Sequence, residues 1–287
     1  MIAIGILAHT QVELLNILLN QLDDLEIDIY LHLDQKSNIL IKKIIKNKNL
    51  IILDKRVSVK WGDFTQIQAE LNIFQEIANS KKKYKKILLI SGQDLLIKKI
   101  NVLKQQVYSN SYECIENYEI ENSNLDIKSD RVLIKYPKYL IGRNKVQVFF
   151  NRVYRKIYPY FFKRKKYNGK IFFGSNWINI SLGAMNYILK EMKKNEVRKL
   201  FEDGFLVDET FVQTILSNSI YKNNIKVENY RYIDWKTGPE YPKILLKNDF
   251  EKIINSNKWF ARKFDIEKDK EVIEQIINYT SEEKSEK

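Results

Sequence analysis

The stretch LVDETF sets two carboxylates, Asp208 and Glu209, side by side at a predicted helix start. Acids in a first turn complement the helix dipole and cap its free N–H groups, so Asp208 also reads as a cap. If it caps, Glu209 is free, and a carboxylate aimed into a cleft can take the proton of an attacking hydroxyl. Late in the chain Lys243 of YPKIL, and Arg262 and Lys263 of WFARKFD, recur near aromatic residues. Lysine meets phosphate as a point charge and arginine as a planar fork. Lys243 also reads as an ordinary surface lysine. Cations set between Phe260 and Phe264 are expected against a packed surface. In IFFGSNWINIS, Gly174 would permit close backbone approach and Trp177 is large enough to close a sugar pocket.

Other chemistries lack their residues. Cys114 is the single cysteine, so no intramolecular disulfide forms, and with only His9 and His32 there is no zinc cluster and no Cys/His nucleophile pair. Cys114 reads as a free core or surface thiol. SGQD and FGSN do not have the spacing of a Walker or dinucleotide loop. An Asp-x-Asp pair at a strand end, which would hold a divalent metal on a diphosphate, is absent as well. Positive side chains would have to hold such a group, and no metal or other cofactor is expected.

These residues need elements to position them. MIAIGILAH, EIDIYLHLD, NLIILD and KKILLISGQD read as strands, and TQVELLNILLNQL and TQIQAELNIFQEIANS as helices with apolar residues at three- and four-residue intervals. Such alternation predicts an α/β fold with a parallel sheet and helices on both faces. Ligands then lie at the carboxyl ends of the strands, where His9, Asp34, Lys36, Gln93 and Asp94 fall. The middle, from about 110 to 170, is expected to be irregular. Beyond it IFFGSNWINIS reads as a strand pair, GAMNYILKEM and DETFVQTILSNS as helices, and NYRYIDW as a strand. NDFEKIINSNKWFARKFD reads as a helix and a short basic knuckle, and 266–287 as a charged, solvated terminal helix. Proline and glycine number 4 and 9, and no interdomain linker is visible. One catalytic domain over 1–265 is therefore expected, divided into a nucleotide-sugar half (1–110), a variable basic and aromatic insertion (111–170) and an acceptor half (171–265).

The net charge is +13, and residues 131–170 hold 13 Lys/Arg with no Asp/Glu, so the rest of the chain is neutral. A nucleic-acid binder would extend its basic stripe beyond one segment. Interleaved Tyr and Phe make this segment suited to anionic lipid headgroups or a phosphorylated lipid carrier, and also to single-stranded nucleic acid or to a solvated loop. The contact expected is a peripheral one with the membrane, made by the run up to Lys170. The N-terminus lacks a basic n-region and a cleavage site, and no run of eighteen apolar residues occurs, so a cytoplasmic protein on the inner face of the membrane is expected.

In order, YLHLDQKS, VSVKWGDFTQIQAELNIFQEI, YKKILLISGQDLLIKK, FFGSNWINISLGAMNYIL, DETFVQTILSNS, YRYIDW and FARKFD resemble the core-2/I-branching β-1,6-N-acetylglucosaminyltransferase and peptide O-xylosyltransferase family. The resemblance spans 1 to about 265 and fails over 120–170 and in the tail. It implies a GT-A type fold, with a Rossmann-like nucleotide half on a mixed sheet joined to an acceptor half. It also implies inverting, metal-independent transfer of a GlcNAc-like or xylose-like sugar from a UDP-sugar to a hydroxyl. On this basis Glu209 is the catalytic base. Lys263 and Lys243, with Arg262 beside them, hold the diphosphate. Leu7, His9, Asp34, Lys36 and Ser58 fall at donor positions, and Tyr232, Asp234 and Glu116, with Trp177, at acceptor positions. Animal relatives are disulfide-bonded Golgi membrane proteins, whereas one cysteine and no anchor suit a bacterial-type enzyme of surface polysaccharide or glycoconjugate synthesis. Two other readings are a nucleic-acid-binding protein and a non-catalytic UDP-sugar binder.

Overall fold

A computed structural model describes residues 1–120, 129–239 and 242–281. Its centre is a seven-stranded mixed sheet in the order Ile225–Val227, Glu113–Ile115, Asn179–Ile180, Lys86–Ser91, Ile2–Ala8, Ile27–Leu33, Leu50–Ile52. The last four strands of that order run parallel, Ile2 opposite Ile27 on one side and Lys86 on the other. Asn179–Ile180 is antiparallel to both of its neighbours. This is the α/β fold on a mixed sheet that the sequence implies. Continuous apolar runs such as IAIGILA form central strands because helices cover both faces and leave no side for polar residues.

One face packs Leu14, Leu15 and Leu18 of the helix Val12–Gln21; the other packs Ile67, Ile73 and Phe74 of the helix Thr65–Asn79. The second helix lies so close that a Cβ on Gly5 would sit 2.7 Å from Ile73 Cγ2. A smaller sheet, Arg231–Ile233 parallel to Phe260–Arg262 and Leu95–Leu96 antiparallel to it, carries Arg262 of FARKFD, with Lys263 directly after the strand. The expected basic knuckle is therefore a strand, fixed by ladder hydrogen bonds.

Two further expectations change. The middle is not irregular throughout, since Lys145–Phe161 is a helix of 17 residues, started by Asn144, whose side chain accepts the Gln147 N–H. Its arginines and lysines concealed an amphipathic period. Nor is the C-terminal helix Glu271–Thr280 solvated: Val272, Ile273 and Ile276 are buried in the main core beside Trp259 and Phe264. The last six residues of the predicted tail, 282–287, and residues 121–128 of the insertion lie outside the described residues.

Candidate active site

The parallel strands end where the first group of residues gathers. The Asp34 N–H bonds to the Ala8 carbonyl at 2.9 Å, and Ser37 Oγ donates to the His9 carbonyl at 2.9 Å, so the two strand-end loops are tied together. Asp34 Oδ1 accepts the Lys36 N–H at 2.8 Å, while Lys36 Nζ donates to the Val59 carbonyl. Ser58 stands beside that carbonyl, after Val57, whose N–H is accepted by His32 Nε2 at 3.0 Å. Leu7 packs partly against the core. His32, buried in its strand, is thus a structural acceptor. The His9 imidazole has a lowered pKa, first through loss of hydration. The charges of Lys263, Arg143 and Lys36 act in the same sense and Asp34 opposes them. These couplings set His9, Asp34, Lys36 and Lys263 in one electrostatic neighbourhood, together with Arg143 from the basic segment. The Arg143 guanidinium lies 5.0 Å from the Trp61 ring, which meets Phe205 edge-on.

The second group is built on the turn Val207–Glu209, which precedes the helix Phe211–Ser217. Leu206 enters it with φ 52 and donates its N–H to the Gly62 carbonyl at 2.9 Å, pinning the turn to the WGD loop. Glu209 Oε2 accepts Arg131 Nη1 at 2.9 Å. Burial raises the Glu209 pKa, and the Arg131 charge and hydrogen bond oppose that rise. Asp208 does not cap the helix that follows. Its Oδ1 is buried without a hydrogen-bond partner among the described residues, and burial, then the neighbouring Glu209, push its carboxyl up to about 7. Behind it Glu70 is wholly buried, and desolvation, then the charge of Asp208, hold its carboxyl well above the ordinary range.

Gly174 joins the turn to a fourth carboxylate. Its N–H bonds to the Glu209 carbonyl at 2.9 Å, and a Cβ there would lie 2.0 Å from the Glu116 carbonyl oxygen. Glu116 accepts the Ser175 N–H at 3.1 Å and Asn229 Nδ2 at 2.8 Å. Burial raises its pKa, and the Glu209 charge adds to the rise. Gly174→Ala is therefore expected to force backbone apart at this junction and to cost roughly 1–3 kcal/mol or more. A lowered thermal midpoint together with lost activity would show it; an unchanged midpoint would mean that the contact is not required.

Four expected positions differ in detail. Lys243 Nζ is bonded to buried Asp249 Oδ1 at 2.7 Å, so it is engaged in an ion pair of its own. Arg262 lies over the Trp177 ring at 4.2 Å with Nε 3.4 Å from buried Asp94, committing its guanidinium to the interior. Trp177 is therefore covered on one face and 8% exposed, so it supports the site rather than forming an open sugar platform. Asp234 closes a turn by accepting the N–H groups of Lys236 and Thr237 and the Thr237 hydroxyl, which hold its pKa down to about 2. Tyr232 packs partly against the main core.

The sequence model of the Core-2/I-Branching enzyme family matches residues 2–254. The chain belongs to this family. Xylosyltransferase oxt of Drosophila pseudoobscura pseudoobscura is 22% identical to it over 268 residues, covering 82% of this chain and 28% of the fly protein. The human N-acetyllactosaminide beta-1,6-N-acetylglucosaminyl-transferase is 20% identical over 263 residues, covering 82% of this chain and 61% of that protein. The Core-2/I-Branching chain thus spans less than two thirds of either relative. A crystal structure of the galactosyltransferase LgtC with donor and acceptor sugar analogs superposes with a TM-score of 0.45 and 10% identity, covering 100% of this chain and 98% of the other.

Three site residues of this Core-2/I-Branching chain escape the sequence reading. Arg131 and Arg143 lie inside the basic run, where like charges mask one another. Glu70 had a signal: it falls on the apolar stripe of its helix with Ile67, Ile73, Phe74 and Ile77, where an acid has no solvent.

Proposed function

We propose that the chain is a GT-A-type, inverting glycosyltransferase acting on a UDP-sugar and an acceptor hydroxyl. The carrying observation is that one segment touches both halves of the site: the Gly174 N–H holds the Glu209 carbonyl, and Trp177 lies beneath Arg262, next to Lys263. In this reading Glu209 takes the acceptor proton and the freed oxygen attacks the anomeric carbon. The bond from that carbon to the diphosphate oxygen breaks, and UDP departs with the electron pair from the opposite face. Lys263, with Lys36 and Arg143 around His9, offsets the charge growing on the diphosphate, without a metal. Glu116 orients the acceptor. The relatives' names support a GlcNAc-like or xylose-like donor, and the basic segment supports a carbohydrate or lipid-linked glycan acceptor in bacterial surface polysaccharide synthesis at the inner face of the membrane. Among the described residues no helix is long and apolar enough to cross a membrane.

Incubation with a panel of UDP-sugars, scored by UDP release, tests the reading; no release from any of them, with or without glycan acceptors, would leave a non-catalytic binder. Lys263→Ala is expected to weaken UDP by about 10- to 100-fold, the worth of a hydrogen bond to a charged group, and to leave uridine nearly unchanged. EDTA is expected to leave turnover intact, and strict dependence on Mn²⁺ or Mg²⁺ would overturn that part.

A further inference from the structure

The helix Lys145–Phe161 is not used by the transfer chemistry, and its three sides differ. It docks through Tyr154 and Tyr158 onto Tyr136, with ring centroids 6.2 Å apart for Tyr136 and Tyr154, and through buried Asn151, whose Nδ2 donates to the Leu140 carbonyl at 3.5 Å. Beside that seam Val146, Phe149, Phe150, Val153, Ile157 and Phe161 recur at three- and four-residue steps and face outward. Phe149 is 61%, Phe150 52% and Phe161 75% exposed. Nothing among the described residues covers this row. On the remaining side Lys145, Arg152 and Lys156 have no carboxylate partner among the described residues, and neither do Lys163 and Lys166 just beyond the helix.

Several other cations of the basic run are engaged within the fold. Arg164 pairs with Asp130 at 2.8 Å and Lys170 with Glu119 at 2.9 Å. Lys165 Nζ donates to the Leu200 carbonyl at 2.7 Å, and burial pulls its pKa down to about 8. Five of the unpaired cations, Lys145, Arg152, Lys156, Lys163 and Lys166, thus lie on or just beyond the helix that carries the apolar row, with Lys138 before it.

We infer that this helix lies along an anionic lipid surface, its apolar row at the acyl boundary and Lys145, Arg152 and Lys156 among the headgroups. The partner's charge must be negative, and its apolar depth must take aliphatic side chains as well as rings. Val146, Val153 and Ile157 offer no stacking face to a nucleic-acid base. A second copy docked across a two-fold axis would bring the same cations together. Arg131, paired with Glu209, and Arg143, whose charge acts on His9, both precede the helix in the chain and link it to the site. This inference goes beyond the transfer reading and does not depend on it.

The test is flotation of the full chain with vesicles of phosphatidylglycerol and phosphatidylcholine, against phosphatidylcholine alone. Two triple variants are compared with wild type: Phe149→Ser, Phe150→Ser, Phe161→Ser, and Lys145→Gln, Arg152→Gln, Lys156→Gln. All six positions are solvent-facing, and thermal melting verifies that the variants fold. Wild type is expected on anionic vesicles at about tenfold or more over neutral ones, and each variant to lose about tenfold or more of that binding. Equal recovery on both vesicle types, or no loss in either variant, would overturn the inference. Binding of single-stranded DNA in place of vesicles, or a dimer dispersed by the Phe variant without vesicle binding, would overturn it too. UDP release by the same preparations is read separately, so loss of the transfer reading leaves the flotation result standing.

Discussion

Glu209→Gln is expected to lower turnover by roughly 10² to 10⁴, the usual worth of a positioned general base. Glutamine keeps the shape of the side chain and can still accept from Arg131, so binding of the UDP-sugar should survive while the proton has no acceptor. The pH profile gives a second readout. Burial raises the Glu209 carboxyl above its ordinary range, against the pull of Arg131. A base works only when unprotonated, so wild-type kcat should fall as pH drops through that raised pKa and level off above it. The Gln variant should have lost this limb. Wild-type turnover in the variant, or an unaltered acid limb, would remove Glu209 from its role and turn attention to Glu116, the neighbouring carboxylate.

Arg262→Ala is expected to lower stability by about 3–5 kcal/mol, because removing one partner leaves the other charge buried. Asp94 is wholly buried, with Ser91 Oγ bonded to Oδ1 at 2.6 Å and Arg262 as the nearest cation, at 3.4 Å. Substitution would also uncover the Trp177 face on which the guanidinium lies. Arg262→Met separates the two contributions, since it refills the space over the indole but supplies no charge. If the charge dominates, Met should be nearly as destabilising as Ala in urea denaturation. Full stability in both variants would mean that Arg262 is not needed to hold Asp94, and that its guanidinium is available to a diphosphate after all.

The seven blocks from YLHLDQKS to FARKFD were enough for the family, and the apolar runs were enough for the parallel strands and the helices between them. Both are properties of local periodicity and of residue order, which a chain carries without its fold. The residues at strand ends were legible for the same reason: in a parallel sheet the last residue of a strand is at the ligand face whatever packs around it. LVDETF exposed its two carboxylates as neighbours in sequence.

Their division of labour belongs to the tertiary structure. Asp208 is buried against Glu70, and Glu209 meets Arg131, across separations in the chain that no local pattern encodes. The same holds for the cations. Arg262 and Lys263 are adjacent and alike in sequence, yet Arg262, the last residue of its strand, meets Asp94 and Trp177, while Lys263, just beyond the strand, acts on His9. Lys243 looked equivalent to them and is held by Asp249. Lysines and arginines of the 131–170 run had identical composition-level weight. Packing decided which pair inward, as Arg164 does, and which remain beside an uncovered apolar row, because burial and partnership are set by what the folded chain brings alongside each side chain rather than by the side chain itself.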